Sequence, residues 1–73
     1  MSPLWKLVLA ISVCIAFKNT VPLDVRAFED LDEPQMIDEA KCFFDHLPAC
    51  VRVEFWRDGR KVRVVWRSEF ITV

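Results

Sequence analysis

A chain of 73 residues allows one domain, because folding at this size hides only about 60% of the surface that the unfolded chain exposes, and this excludes a two-domain enzyme. Hydrophobic residues at 53%, charged residues at 29% and a single Gly exclude disordered and collagen-like chains. The formal net charge of -1 excludes a uniformly basic nucleic-acid binder, yet it averages unlike segments: residues 1–23 carry +2, residues 24–46 carry -6 and residues 47–73 carry +3.

Residues 7–17, LVLAISVCIAF, are uncharged and follow Lys6. They suit the apolar core of a secretory signal, with Cys14-Ile15-Ala16 as the best small-residue cleavage motif, so residues 1–16 read as a signal peptide or signal-anchor. As a helix, residues 3–17 reach roughly 22 Å, short of the roughly 30 Å hydrocarbon core of a bilayer. An anchor here would therefore rely on bilayer thinning or on snorkelling of Lys6 and Lys18. The same run has a second reading. Large side chains at Leu7, Leu9, Ile11, Val13, Ile15 and Phe17 alternate with smaller ones at Val8, Ala10, Ser12, Cys14 and Ala16, as in a core strand covered on both faces. Residues 17–31 read as a linker, or as a short strand through Val21, Leu23, Val25 and Ala27.

The domain proper is expected over residues 32–73. Asp32 is placed as an N-cap, Pro34 falls in the first turn, and Gln35 lies three residues after the cap, close to a capping box. Met36, Ile37, Ala40, Phe43, Phe44 and Leu47 then recur at helical spacing, which predicts an amphipathic helix over about residues 33–47, ended by Pro48. Residues 51–57 and 60–67 flank Asp58-Gly59, the dipeptide preferred by two-residue type I′ hairpin turns. Such a turn sets Phe55 opposite Val62, Val53 opposite Val64 and Val51 opposite Trp66 on one face. It sets Glu54 opposite Arg63 and Trp56 opposite Lys61 on the other. Phe70 to Val73 is β-prone and could return as a third strand, or could offer a carboxyl terminus to a strand-addition groove. The fold class expected is α+β, one helix packed on an antiparallel hairpin or three-stranded meander.

Cys42 and Cys50 remain as a pair if residues 1–16 are removed, and both are read as lying away from the core, so the spacing predicts one disulfide between them. Cys42, His46, Cys50 and Asp45 do not form the two close ligand pairs of structural zinc, and no metal or cofactor is expected. Glu29, Asp30, Asp32 and Glu33 lack the regular alternation of a calcium loop. With no nucleophile motif and no phosphate loop, the chain is not read as an enzyme.

The remaining surface is the hairpin face read as opposite the core: Arg52, Glu54, Trp56, Lys61, Arg63 and Arg67. Trp and Arg are enriched at interface hot spots. The expectation is a small secreted or membrane-anchored, extracytoplasmic, non-enzymatic module that binds a protein partner through this face. A cytoplasmic alternative makes residues 7–17 a core strand and has the hairpin bind nucleic acid or assemble an oligomer. A further alternative is a single-pass membrane subunit held by residues 3–17.

Overall fold

A computed structural model describes residues 12–70, so the reading of residues 1–11 and 71–73 lies outside the described residues. The chain runs β1 (Ser12–Lys18), β2 (Val21–Phe28), α1 (Glu33–His46), β3 (Arg52–Arg57) and β4 (Arg60–Trp66), and closes with a 3-10 turn (Arg67–Phe70). The fold is α+β. Its four strands form one antiparallel sheet in the order β2-β1-β3-β4, rather than a two- or three-stranded one.

The helix begins as its sequence dictates. Asp32 Oδ1 accepts the Gln35 N–H at 2.9 Å, while Gln35 Oε1 accepts the Asp32 N–H at 2.9 Å, so two backbone donors that the helix cannot satisfy find partners. Met36, Ala40, Phe43 and Phe44 are buried against the sheet, and Ile37 and Leu47 pack at the margin of the same cluster. The helix ends one residue earlier than expected, where the Leu47 N–H closes the last turn on the Phe43 carbonyl at 2.8 Å.

Of residues 7–17, those from Ser12 onward are described. Ser12–Lys18 is a central strand, paired with β2 on one side and β3 on the other. Ser12, Cys14 and Ala16, the small residues of the alternating run, lie under α1 with at most 1% exposure. Small side chains there let the helix approach the sheet closely. Ser12–Lys18 thus has the form of the core-strand reading, and a cut after Ala16 would remove five of the seven residues of β1. Within residues 17–31 the strand alternative is the one seen: Val21–Phe28 is an edge strand.

The hairpin turn is as expected, with Asp58 at φ 53° and Gly59 at φ 74°, the positive pair that a type I′ turn demands. The register is not. Arg57 pairs with Arg60 and Trp56 with Lys61, but then Phe55 faces Arg63, Glu54 faces Val64, Val53 faces Val65 and Arg52 faces Trp66. Val62 is the extra residue of a β-bulge, and beyond a bulge every side chain changes face. Val65 thereby enters the core at 0% exposure, and Glu54 is not opposite Arg63. After β4 the 3-10 turn sets Phe70 on Phe44 with ring centroids 5.6 Å apart, and the strand expected over Phe70 to Val73 lies, beyond Phe70, outside the described residues.

Candidate functional site

Strand pairing sorts the sheet into two faces, since partners across an antiparallel ladder point the same way. The face under α1 consists of Phe28, Ser12, Arg57 and Arg60 in one row, Arg26, Cys14, Phe55 and Arg63 in the next, and Asp24, Ala16, Val53 and Val65 in the third. The opposite face carries three matching rows: Ala27, Val13, Trp56 and Lys61; Val25, Ile15, Glu54 and Val64; Pro22, Phe17, Arg52 and Trp66. Among the described residues no second layer covers this face. Val25 is 56% exposed and Trp66 46%.

At the centre of this apolar face sits an ionic cluster. Arg52 Nε donates to Glu54 Oε2 at 3.0 Å, Lys61 Nζ lies 3.5 Å from the same oxygen, and Trp56 Nε1 donates to Oε1 at 3.2 Å. The side chain of Glu54 is only 8% exposed. Burial alone would raise its pKa; the hydrogen bonds from Arg52 and Trp56 and the nearby Lys61 charge together outweigh that and hold it below its ordinary value. Aromatic rings buttress the cations. The Arg52 guanidinium lies 4.3 Å from the centroid of Phe17 and 5.8 Å from that of Trp66, and Lys61 Nζ lies 5.6 Å from Trp56. Arg52 also donates through Nη1 to the Asn19 carbonyl in the β1–β2 turn.

Four of the six residues expected on a binding face, Arg52, Glu54, Trp56 and Lys61, therefore stand together. The other two do not. Arg63 crosses to the helix side, where Nη1 pairs with Glu33 at 2.6 Å and Nη2 lies 3.7 Å from Glu69. Arg67 is spent inside the fold: Nε donates to the Cys50 carbonyl at 2.7 Å, and Nη2 to the carbonyls of Phe44 and Leu47, both at 2.9 Å. Val13, Ile15, Phe17 and Val25 also belong to the face; the sequence placed them in segments with two readings each, signal or core strand and linker or short strand, and did not assign them to a binding face. The large residues of the alternating run were their signal.

The cysteines also differ from expectation. Cys14, Cys42 and Cys50 are free thiols. Cys50 points inward at 0% exposure and its Sγ donates to the Arg52 carbonyl at 3.3 Å, whereas Cys42 sits half-buried on the helix beside His46. The disulfide is therefore a correction: Cys50 shares neither the orientation nor the surface of Cys42. Burial, then the charge of Glu39, pushes the Cys14 thiol up to about 12 despite the opposing charge of Arg26, and burial raises Cys50 as well. Native protein treated with a thiol alkylating agent near neutral pH is expected to gain one adduct quickly, at Cys42, and two more only on unfolding. Intact mass reads the count, and a natively purified chain two hydrogens lighter than its fully reduced mass would contradict it.

His46 Nδ1 lies 2.8 Å from the Cys42 carbonyl and 3.7 Å from Cys42 Sγ, so the ring spends its Nδ1 hydrogen on the backbone. Among the described residues no group of three His, Cys, Asp or Glu could hold a metal ion, and no helix is long and apolar enough to cross a membrane. An open groove of about 350 Å³ at the end of α1 is lined by Lys41, Phe44, Asp45, Arg67 and Phe70. Its strongest cation, Arg67, already serves three carbonyls. No protein-family model, curated protein or solved structure matches the chain.

Proposed function

We propose that this chain is a small non-enzymatic protein-interaction module whose partner covers the open face of the sheet. The observation that carries this reading is the juxtaposition on one face of exposed Val25 and Trp66 with the Arg52, Glu54, Trp56 and Lys61 cluster. Exposed apolar surface of this kind is costly to leave in water. A half-buried charge cluster whose hydrogen bonds are made internally can go under a partner without leaving an orphaned ion. Aromatic and Arg residues in such a setting are the usual anchors of an interface.

Phosphate recognition is the weaker reading, because Arg26, Arg57 and Arg63 are committed to Glu39, Asp30 and Glu33 on the other side of the molecule. A nucleic-acid surface needs cations gathered and free on one face.

The test is the size of the native assembly in extracts of cells that make the chain. Wild type is expected to fractionate well above the size of the purified chain. Val25→Asp and Trp66→Ala are each expected to cut the assembled fraction at least tenfold while leaving the denaturation midpoint of the purified protein within about 1 kcal/mol of wild type, as for most exposed substitutions. Asp38→Ala, on the exposed side of α1, serves as the control. Assembly unaffected by both face variants, or equally lost in the control, would overturn the proposal.

A further inference from the structure

The helix that covers one face of the sheet gives a measure of what could cover the other. α1 has 14 residues, about 21 Å at a rise of roughly 1.5 Å each. Four strands at about 4.8 Å spacing and seven residues at about 3.3 Å rise make each sheet face roughly 19 Å by 23 Å. One helix of the length of α1 fits the open face as α1 fits its own.

Charge selects the kind of helix. In the three rows of the open face the one carboxylate is Glu54, and it is spent on Arg52, Lys61 and Trp56. Two cations against one acid leave the face with an excess positive charge. Lys61 is 44% exposed and can turn a proton toward solvent or a partner. The other acids among the described residues lie off this face's three rows: Asp24 on the face beneath α1, Glu33, Asp38, Glu39 and Asp45 on α1, Glu29, Asp30 and Asp32 in the β2–α1 connection, Asp58 in the hairpin turn, and Glu69 in the 3-10 turn, where Oε2 accepts the Trp66 N–H at 2.7 Å. A second copy laid face to face would set two surfaces of the same net sign against each other, with each Glu54 already engaged by its own Arg52 and Lys61, which penalises the symmetric pairing.

We infer that the open face receives an acidic amphipathic helix of a protein partner, with its apolar stripe on Ile15, Val25 and Val64 and its carboxylates beside Lys61 and Arg52. This inference rests on the interaction-module reading and adds the chemistry of the partner. Trp56 and Trp66, in the first and third rows, flank this middle row on its two sides at the β3–β4 half of the face. The helix-in-groove mode needs such apolar anchors at three and four residue spacing, and flanking charges set the choice of partner.

The experiment uses the full chain and two synthetic helical peptides of equal length, each with the same Leu stripe, one flanked by Glu and the other by Lys. Binding is followed by the indole N–H resonances of Trp56 and Trp66. The Glu peptide is expected to bind at least tenfold more tightly than the Lys peptide, and to weaken as salt rises. Lys61→Gln should bring the two peptides toward parity and Lys61→Glu should reverse their order; the Gln variant guards against misfolding of the Glu variant beside Glu54. Equal affinity for both peptides, or an order that ignores position 61, would overturn the inference. So would concentration-dependent dimerisation of the purified chain that Trp66→Ala abolishes, which assigns the face to a second copy. Binding to anionic phosphatidylglycerol vesicles but not to the Glu peptide would assign it to a membrane surface and overturn the inference too. If Val25→Asp disperses the native assembly while Lys61→Gln and Lys61→Glu do not, the module reading stands and the acidic helix falls. If none of the three disperses it, both fall.

Discussion

Replacing Arg67 with Ala is expected to lower the free energy of unfolding by roughly 3 kcal/mol, a large share of the roughly 5–15 kcal/mol available to a domain. The guanidinium reaches three backbone carbonyls at 2.7 to 2.9 Å. Two of these, Phe44 and Leu47, belong to the C-terminal end of α1, where the last carbonyls have no partner within the helix. The third, Cys50, lies in the connection just before β3. One side chain thus closes the helix, ties it to the sheet and carries a positive charge to the negative end of the helix dipole. Its plane also lies 5.0 Å from the Phe44 ring. Arg67→Lys should recover little, since an ammonium cannot present a planar fork to three acceptors. Urea denaturation checks the size of the loss, with Arg60→Ala at the exposed start of β4 as control, and amide exchange in residues 43–47 should rise with it. A midpoint within 0.5 kcal/mol of wild type, taken as roughly the scatter for surface substitutions, would show that water replaces the guanidinium at all three carbonyls.

Arg67 also marks where sequence reasoning stops. Parity along a strand assigned it to the outer face, but it lies past the end of β4, in the 3-10 turn, where strand parity has no force. The bulge at Val62 was hidden for a related reason. A two-residue turn fixes pairing only until a residue is inserted, and Val64-Val65 offers an apolar side chain to either face, so the pattern did not choose between them. Arg63 could enter the helix side because its long stem runs beside Phe55 while its charged head reaches Glu33 and Glu69. By contrast, the helix and the hairpin turn were legible because each is written locally, in the Asp32/Gln35 box, the Met36 to Leu47 stripe and the Asp58-Gly59 pair.

The N-terminal run was ambiguous for a physical reason. A signal segment and a central strand both need an unbroken apolar stretch, and hydropathy measures that alone. What distinguishes them is size. Ser12, Cys14 and Ala16 leave room for α1, while Val13, Ile15 and Phe17 build the opposite face. Of the candidate site, the part on β3 together with Lys61 was readable, because those residues lie on the turn side of the bulge or on the strand that does not slip. The contribution of β1 and β2 was not, since it depends on pairings between segments far apart in sequence.

Glu54 is where stability and the proposed site meet, and Glu54→Ala is expected to cost about 2–3 kcal/mol at pH 7. The loss leaves the Trp56 indole N–H unpaired and Arg52 half-buried without its counter-charge, while Lys61 escapes to solvent; that places the figure toward the low end for breaking a buried pair. The pH dependence follows from the direction of the shift. Because the folded state holds this carboxylate below its ordinary value, its contribution is complete above the unfolded value of about 4.3 and disappears as pH falls through the folded value. Wild type should therefore lose stability steeply below about pH 4, and Glu54→Gln should be less stable at pH 7 but show a shallower decline over the same acid range. Acid effects common to both proteins cancel, so the difference between the two urea-midpoint profiles isolates position 54. Parallel profiles would mean that the carboxylate is not preferentially ionised in the folded state. The Gln variant carries a second consequence for the face. It keeps an acceptor for Trp56 but frees the charges of Arg52 and Lys61, so its preference for the Glu-flanked peptide over the Lys-flanked one should exceed that of wild type, whereas removing Lys61 diminishes it. Opposite movements from two neighbouring substitutions cannot come from general loosening of the fold; they require the excess positive charge of this face to be what the partner reads.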